Sequence, residues 1–192
     1  MSRRVEIFFD YSSPFAYLGT TQIERVAGNA EVVWKPFLLG ALFKAIGTPI
    51  IPLATFADAK RAHQQRDLDR WAEHWNVPFK FRSQFPLNSV GLLRLTLAAP
   101  KEQRPALIHR LMRLCWVEDR MPDESALREC LSEVGLDPNL VTATKDPAIK
   151  QALFDATQEA IDRHVPGAPT FFVGDELFWG QDRLHFVEKA LR

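Results

Sequence analysis

The β-type patterning of this 192-residue chain is confined to its two ends, and that placement limits the fold more than any other feature. Residues 4–9 alternate in polarity as a half-buried strand does, and residues 31–37, with Pro36 near the end, read as a second strand. Between them residues 14–27 carry a helical pattern, opened by Ser13-Pro14 and stopped by Gly28. A strand, a crossover helix and a strand make a right-handed parallel unit. At the far end, Pro169-Thr170-Phe171-Phe172-Val173 and Glu176-Leu177-Phe178-Trp179 flank the turn Gly174-Asp175, a strong hairpin signal, and Asp182 begins a last helix. From Thr55 to about His164 nearly everything is helical in pattern. A helix is expected near 56–75, with Thr55 as N-cap, and others near 89–98, 103–118, 124–134 and 147–164, with a short one opened by Pro138.

The order βαβ, helical insertion, ββα predicts an α/β, thioredoxin-like sheet with a large all-helical domain inserted between its two halves. The expected division is 1–40 and 165–192 for a discontinuous thioredoxin-like domain and 41–164 for the insertion. Lys plus Arg and Asp plus Glu each total 24, so the charges cancel and nothing favours nucleic-acid binding. No apolar run approaches the ~18 residues of a membrane span. The apolar stretch after Met1-Ser2-Arg3-Arg4 reaches Asp10 too soon for a signal-peptide core. A cytoplasmic protein with neither nucleic acid nor membrane as partner is expected. Cys115 and Cys130 read as small buried hydrophobes. The five histidines, His63, His74, His109, His164 and His185, show no ligand spacing, so no metal is expected.

Two short segments carry the chemistry. Ser13-Pro14 at the first strand-to-helix turn places a hydroxyl at a helix N-terminus, which suits an anion such as a thiolate; ordinary helix punctuation explains the same residues. Gly167-Ala168-Pro169-Thr170 puts an X-Pro bond just ahead of a strand, where a cis proline serves as a functional kink and a trans proline as a plain strand start. Thioredoxin-like oxidoreductases carry Cys-x-x-Cys at the first turn, and this chain reads Ser13-Pro14-Phe15-Ala16. Dithiol exchange is chemically unavailable. A sulfur nucleophile would have to be borrowed.

The sequence resembles the 2-hydroxychromene-2-carboxylate isomerases and the related kappa-class glutathione transferases. The anchors are 9–18, Arg66-Asp67-Leu68-Asp69-Arg70-Trp71-Ala72 with Val77-Pro78, Trp116 ahead of Pro122, 167–171, and Phe178-Trp179-Gly180-Gln181-Asp182-Arg183-Leu184. The resemblance implies a glutathione site. In it Ser13 is the catalytic residue, stabilising the glutathione thiolate. Pro14 and Phe15 flank it, Ala168 and Pro169 present main chain to the cysteinyl backbone, and Gln181 and Asp182 take the γ-glutamyl end. Lys60 falls where the family has a lysine that reaches a carboxylate. Thr48 stands where relatives often have Asn, His63 where Tyr is frequent, and Gln181 where a shorter polar residue is usual. The implied substrate is an aromatic carboxylate, and the family usually forms homodimers. Phe37, Trp116 and Trp179 are candidate walls for a flat bicyclic substrate.

Several functions stay open at this point. The first is glutathione-dependent isomerisation of 2-hydroxychromene-2-carboxylate, or a related cyclic hemiketal acid, to trans-o-hydroxybenzylidenepyruvate in aromatic-compound degradation. The others are a kappa-like transferase or peroxidase, a non-catalytic thioredoxin-fold peptide-binding module, and a glutathione binder without turnover.

Overall fold

A computed structural model describes residues 3–192. Met1 and Ser2, which open both the expected thioredoxin-like unit and the stretch read against a signal peptide, lie outside the described residues. Strand β1 (Arg4–Phe9) pairs in parallel with β2 (Glu31–Pro36) and antiparallel with β3 (Thr170–Val173), which pairs antiparallel with β4 (Glu176–Trp179). The sheet order is β2-β1-β3-β4, so the two ends of the chain interleave as a thioredoxin-like sheet. The strand register separates the faces. Val5, Ile7, Phe9 and Phe171 point one way and Glu6, Phe8 and Phe172 the other.

Helix α1 (Pro14–Thr20) lies on the Phe171 face: a Cβ added to Gly19 would come within 3.3 Å of the Phe171 ring. Helix α8 (Pro147–Asp162) lies on the other, where Lys35 pairs with Glu159 and Arg163 pairs with Glu6 and stacks on Phe172. Helices α2 (Ile23–Ala27) and α9 (Leu184–Ala190) pack on one another, α2 also against β2 and α9 against β3 and β4. Between the sheet halves run α3 (Leu39–Ala45), α4 (Asp58–Trp75), α5 (Val90–Ala98), α6 (Arg104–Trp116) and α7 (Glu124–Glu133), with a 3₁₀ segment at Pro138–Lys145. Among the described residues no helix is long and apolar enough to cross a membrane.

Four local readings change. The helix expected over 14–27 is two, because the Thr20 and Thr21 hydroxyls bond back to the Tyr17 and Leu18 carbonyls and the Gln22 N–H turns to Gly19. Helix α3 fills a stretch left without an element. Thr55 does not cap α4: Pro52 starts a 3₁₀ turn, the Thr55 hydroxyl donates to Pro52 O, and α4 begins after Ala57. Asp182 does not cap the last helix either, since it sits inside a 3₁₀ turn over Gln181–Arg183 that precedes α9.

Candidate active site

The site is built where β1 runs into α1. The Asp10 carboxylate is fully buried and organises the turn: one oxygen accepts from the Ser12 N–H at 2.9 Å and the other from the Leu39 N–H at 2.8 Å. Burial pushes the Asp10 carboxyl above its usual range, opposed by hydrogen bonds from Ser12, Ser89 and Leu39. The Ser13 N–H closes onto Asp10 O at 3.1 Å. From the other side the Trp116 indole N–H donates to Tyr11 O at 2.9 Å, and the Tyr11 hydroxyl meets the Thr96 hydroxyl at 2.6 Å. The turn is therefore held by β1, α3, α5 and α6 together.

Ser13 is the N-cap of α1, and its hydroxyl makes two bonds. It accepts from the Ala16 N–H at 3.1 Å and donates to Ala168 O at 2.8 Å. The Ala168–Pro169 bond is cis. Gly19 lets α1 approach this loop, because a Cβ there would lie 3.0 Å from the Pro169 ring. The Pro169 carbonyl in turn accepts from the Gly180 N–H at 3.0 Å, which brings the β4 end and Gln181 alongside. So Ser13, Pro14, Ala168 and Pro169 converge, although their sequence separation spans most of the chain. Ser13 is 5% exposed and Gln181 4%. Of the N–H groups in the first turn, Pro14 has none to give and that of Ala16 is taken by Ser13. Phe15, half-buried, presents the N–H left for an anion, a sparser cradle than a bare helix start offers.

The other candidate residues have these contacts. Thr48 makes its backbone bond to Phe43 O, and the exposed Lys60 ammonium lies 4.0 Å from the centre of the Phe56 ring. Asp182 pairs with Arg183 at 3.3 Å. Phe37 and Trp116, candidates for either core or pocket wall, are both 0% exposed, and the Trp116 N–H supports the turn at Tyr11. Trp179 is 56% exposed and its indole lies across Gly167, where a Cβ would come within 2.9 Å of Nε1. Asp10 is the functional residue that sequence reasoning missed. An Asp two residues ahead of a serine is an Asx-turn signal, and that signal was available.

Neither cysteine can serve as nucleophile. Burial pushes the Cys115 thiol up to about 12 and the Cys130 thiol up to about 11, so both hold their protons at neutral pH. Among the described residues no group of His, Cys, Asp and Glu is placed to hold a metal ion. Cavities of ≈640 Å³, against the C-terminal half of α4, and ≈240 Å³, between α1 and α6, flank Val77-Pro78; neither is lined by Ser13 or Ala168.

A four-stranded mixed sheet, a cis proline facing the first turn and a serine at that turn define a thioredoxin-type domain without its thiols. The comparisons agree. The DSBA-like thioredoxin domain matches residues 4–192. The 2-hydroxychromene-2-carboxylate isomerase of Sphingobium xenophagum is 30% identical, over 100% of this chain and 99% of that protein, and the enzyme of the same name from Pseudomonas putida is 28% identical, over 97% and 93%. A solved 2-hydroxychromene-2-carboxylate isomerase superposes with a TM-score of 0.86 at 26% identity, covering 98% of this chain and 94% of that one. The chain belongs to the DSBA-like thioredoxin family and, within it, to the 2-hydroxychromene-2-carboxylate isomerases.

Proposed function

We propose that this protein is a glutathione-dependent cis–trans isomerase of 2-hydroxychromene-2-carboxylate or a closely related cyclic hemiketal aromatic acid, in the degradation of aromatic compounds. The observation that carries the reading is the Ser13 hydroxyl held against Ala168 O beside cis-Pro169, in a chain whose own thiols are buried. The residues present fit the tripeptide. Ser13 offers a hydroxyl to a sulfur, Ala168 offers main chain to a cysteinyl backbone, and Gln181 and Asp182 offer an amide and a carboxylate at the adjoining turn. Bound glutathione would supply the thiolate nucleophile that this chain lacks, for reversible addition across a conjugated double bond. Ser13 is read as stabilising that sulfur and not as attacking. The exposed Trp179 indole is the aromatic surface left for the substrate, once Phe37 and Trp116 are assigned to the core. Thr48, just after α3, and Lys60, in the first turn of α4, belong to the same reading as glutathione contacts. The division at 1–40, 41–164 and 165–192, a homodimer and a cytoplasmic location go with the same reading.

The test is isomerisation of 2-hydroxychromene-2-carboxylate, followed by absorbance, with and without glutathione. We expect turnover that requires glutathione and a loss on the order of ten- to hundred-fold in Ser13→Ala, the weight of one hydrogen bond to a charged group. Full rate without glutathione, or in Ser13→Ala with glutathione saturating, would overturn the proposal.

A further inference from the structure

We propose that Met121 is an oxidation site whose state is read by the buried Arg82 guanidinium: the sulfoxide that a hydroperoxide forms there tightens the end of α6 instead of loosening the fold. The inference does not depend on which thiol the active site binds. Methionine ordinarily fills a core as a flexible apolar side chain, and Met112 is buried in that way. Met121 is 51% exposed, and its sulfur takes an N–H from Nη2 of Arg82 at 3.6 Å. The rest of Arg82 is engaged inside. Nη1 donates to Cys115 O and Arg120 O, both at 3.1 Å, and Nε to Gln84 O at 3.3 Å. Nη2 alone meets a thioether, the weakest acceptor of the set. The frame around that contact is fixed. The Asp119 carboxylate accepts from the Ser83 N–H at 3.0 Å and pairs with Lys80 at 3.2 Å, and the Lys80 N–H donates to Trp116 O at 2.7 Å. Residues 80–84 and 116–121 are held side by side, with an accessible sulfur next to an N–H that no carbonyl claims.

The reaction is a two-electron oxidation by a hydroperoxide. A sulfur lone pair attacks one peroxide oxygen, an S–O bond forms and the O–O bond breaks. The proton of the transferred oxygen goes to the leaving oxygen, which departs as water, or as an alcohol from an organic hydroperoxide. The sulfur ends as a sulfoxide and the peroxide is reduced. In a core the new oxygen disrupts packing, the usual result of methionine oxidation. At Met121 it has water on one side and a charged N–H donor on the other. A sulfoxide oxygen accepts far better than a thioether, and hydrogen bonds from a charged donor are the strong ones. The unbranched side chain turns about its own bonds to bring either epimer's oxygen to Nη2. The gain takes nothing from Cys115 O or Arg120 O, which bond to Nη1. What Arg82 holds is the end of α6, and there the Trp116 N–H supports Tyr11 O and the turn that carries Ser13.

The experiment treats the intact protein with dilute hydrogen peroxide, without glutathione, and locates the gain of one oxygen by peptide mass mapping. Stability is read as the denaturant midpoint, and local opening as the exchange rate of the Trp116 indole N–H by NMR. We expect Met121 to be oxidised ahead of the buried Met112. The oxidised protein should unfold at higher denaturant, with an unfolding equilibrium constant lower by about three- to ten-fold, the weight of one hydrogen bond. The Trp116 N–H should exchange more slowly. Met121→Leu should pass through the same treatment with neither change. A midpoint that stays or falls, an unaltered Trp116 exchange rate, a Met121 that peroxide leaves untouched, or the same gains in Met121→Leu would each overturn the inference.

Discussion

At the scale of single residues, the site depends on groups that never touch a ligand. Asp10 is the clearest case. Its two oxygens accept backbone N–H groups from opposite directions, Ser12 on the turn after β1 and Leu39 at the head of α3. An asparagine fills the same volume but offers one acceptor and one donor. In Asp10→Asn one of those N–H groups therefore faces an amide N–H₂ and loses its partner. The expected cost is about 1–3 kcal/mol of stability, read as a lower denaturant midpoint. The Ser13 turn hangs from the same anchor, so isomerase activity should fall as well; an Asn variant with the unaltered midpoint would show that the carboxylate is not holding the turn. Gly19 gives a second prediction. An added Cβ would sit 3.0 Å from the Pro169 ring and 3.3 Å from Phe171. Alanine gains about 1 kcal/mol of helix propensity over glycine, and overpacking costs about 1–3 kcal/mol. Gly19→Ala should lose about 1 kcal/mol net while lowering turnover more than stability, because the shift falls on the Ser13–Ala168 contact. Unchanged turnover would mean that the loop can move aside freely.

At the scale of elements, what holds each helix end decides what a reader of the sequence can find. The strands were legible because period-two alternation is written locally, and the hairpin because Gly174-Asp175 fits one turn class. Ser13 and the Ala168-Pro169 pair were legible for the same reason. Helix α3 was not. Its N-cap residue, Leu38, makes no side-chain cap, and the N–H groups of Leu38 and Leu39 are met by Thr157 from α8 and by Asp10 just past β1, partners far away in sequence. Trp116 stayed open between core and pocket wall, because a tryptophan's burial is a tertiary fact. Helix α6 shows the same dependence at its other end. The buried Arg82 guanidinium donates to the carbonyls of Cys115 and Arg120, both at 3.1 Å, and to Gln84 O, so it closes the C-terminus of α6 and the loop beyond it. Arg82→Met keeps the length and removes every donor. The expected loss is on the order of 2–3 kcal/mol by chemical denaturation, with disorder spreading to the Trp116 N–H that supports Tyr11. A variant as stable as the parent would mean that these carbonyls find other donors.

At the scale of the whole molecule, the core has kept two thiols and excluded them from chemistry, and this has a consequence that pH can read. Cys115 and Cys130, ordinarily ionising near 9.0, are pushed up to about 12 and about 11, mainly by burial. Tyr17, buried against the loop after α4 with its hydroxyl on Pro78 O, moves from 10.0 to about 12 for the same reason. All three are acids whose folded form holds its proton longer than the unfolded chain does. Below pH 9 both states are protonated and the folded state keeps its full advantage. As pH rises from 9 toward 12 the unfolded chain releases protons that the folded protein retains, so stability falls. The expected result is a denaturation midpoint that is level through neutral pH and declines steeply above about pH 9. Replacing both cysteines with alanine should leave a shallower decline, begun nearer the ordinary tyrosine value of 10.0. The substitutions themselves remove buried sulfur and lower the neutral-pH midpoint, so the slope with pH, not the level, carries the test. If the double variant declines as steeply as the parent, the buried thiols do not govern alkaline unfolding, and the claim that the core holds them protonated fails with it.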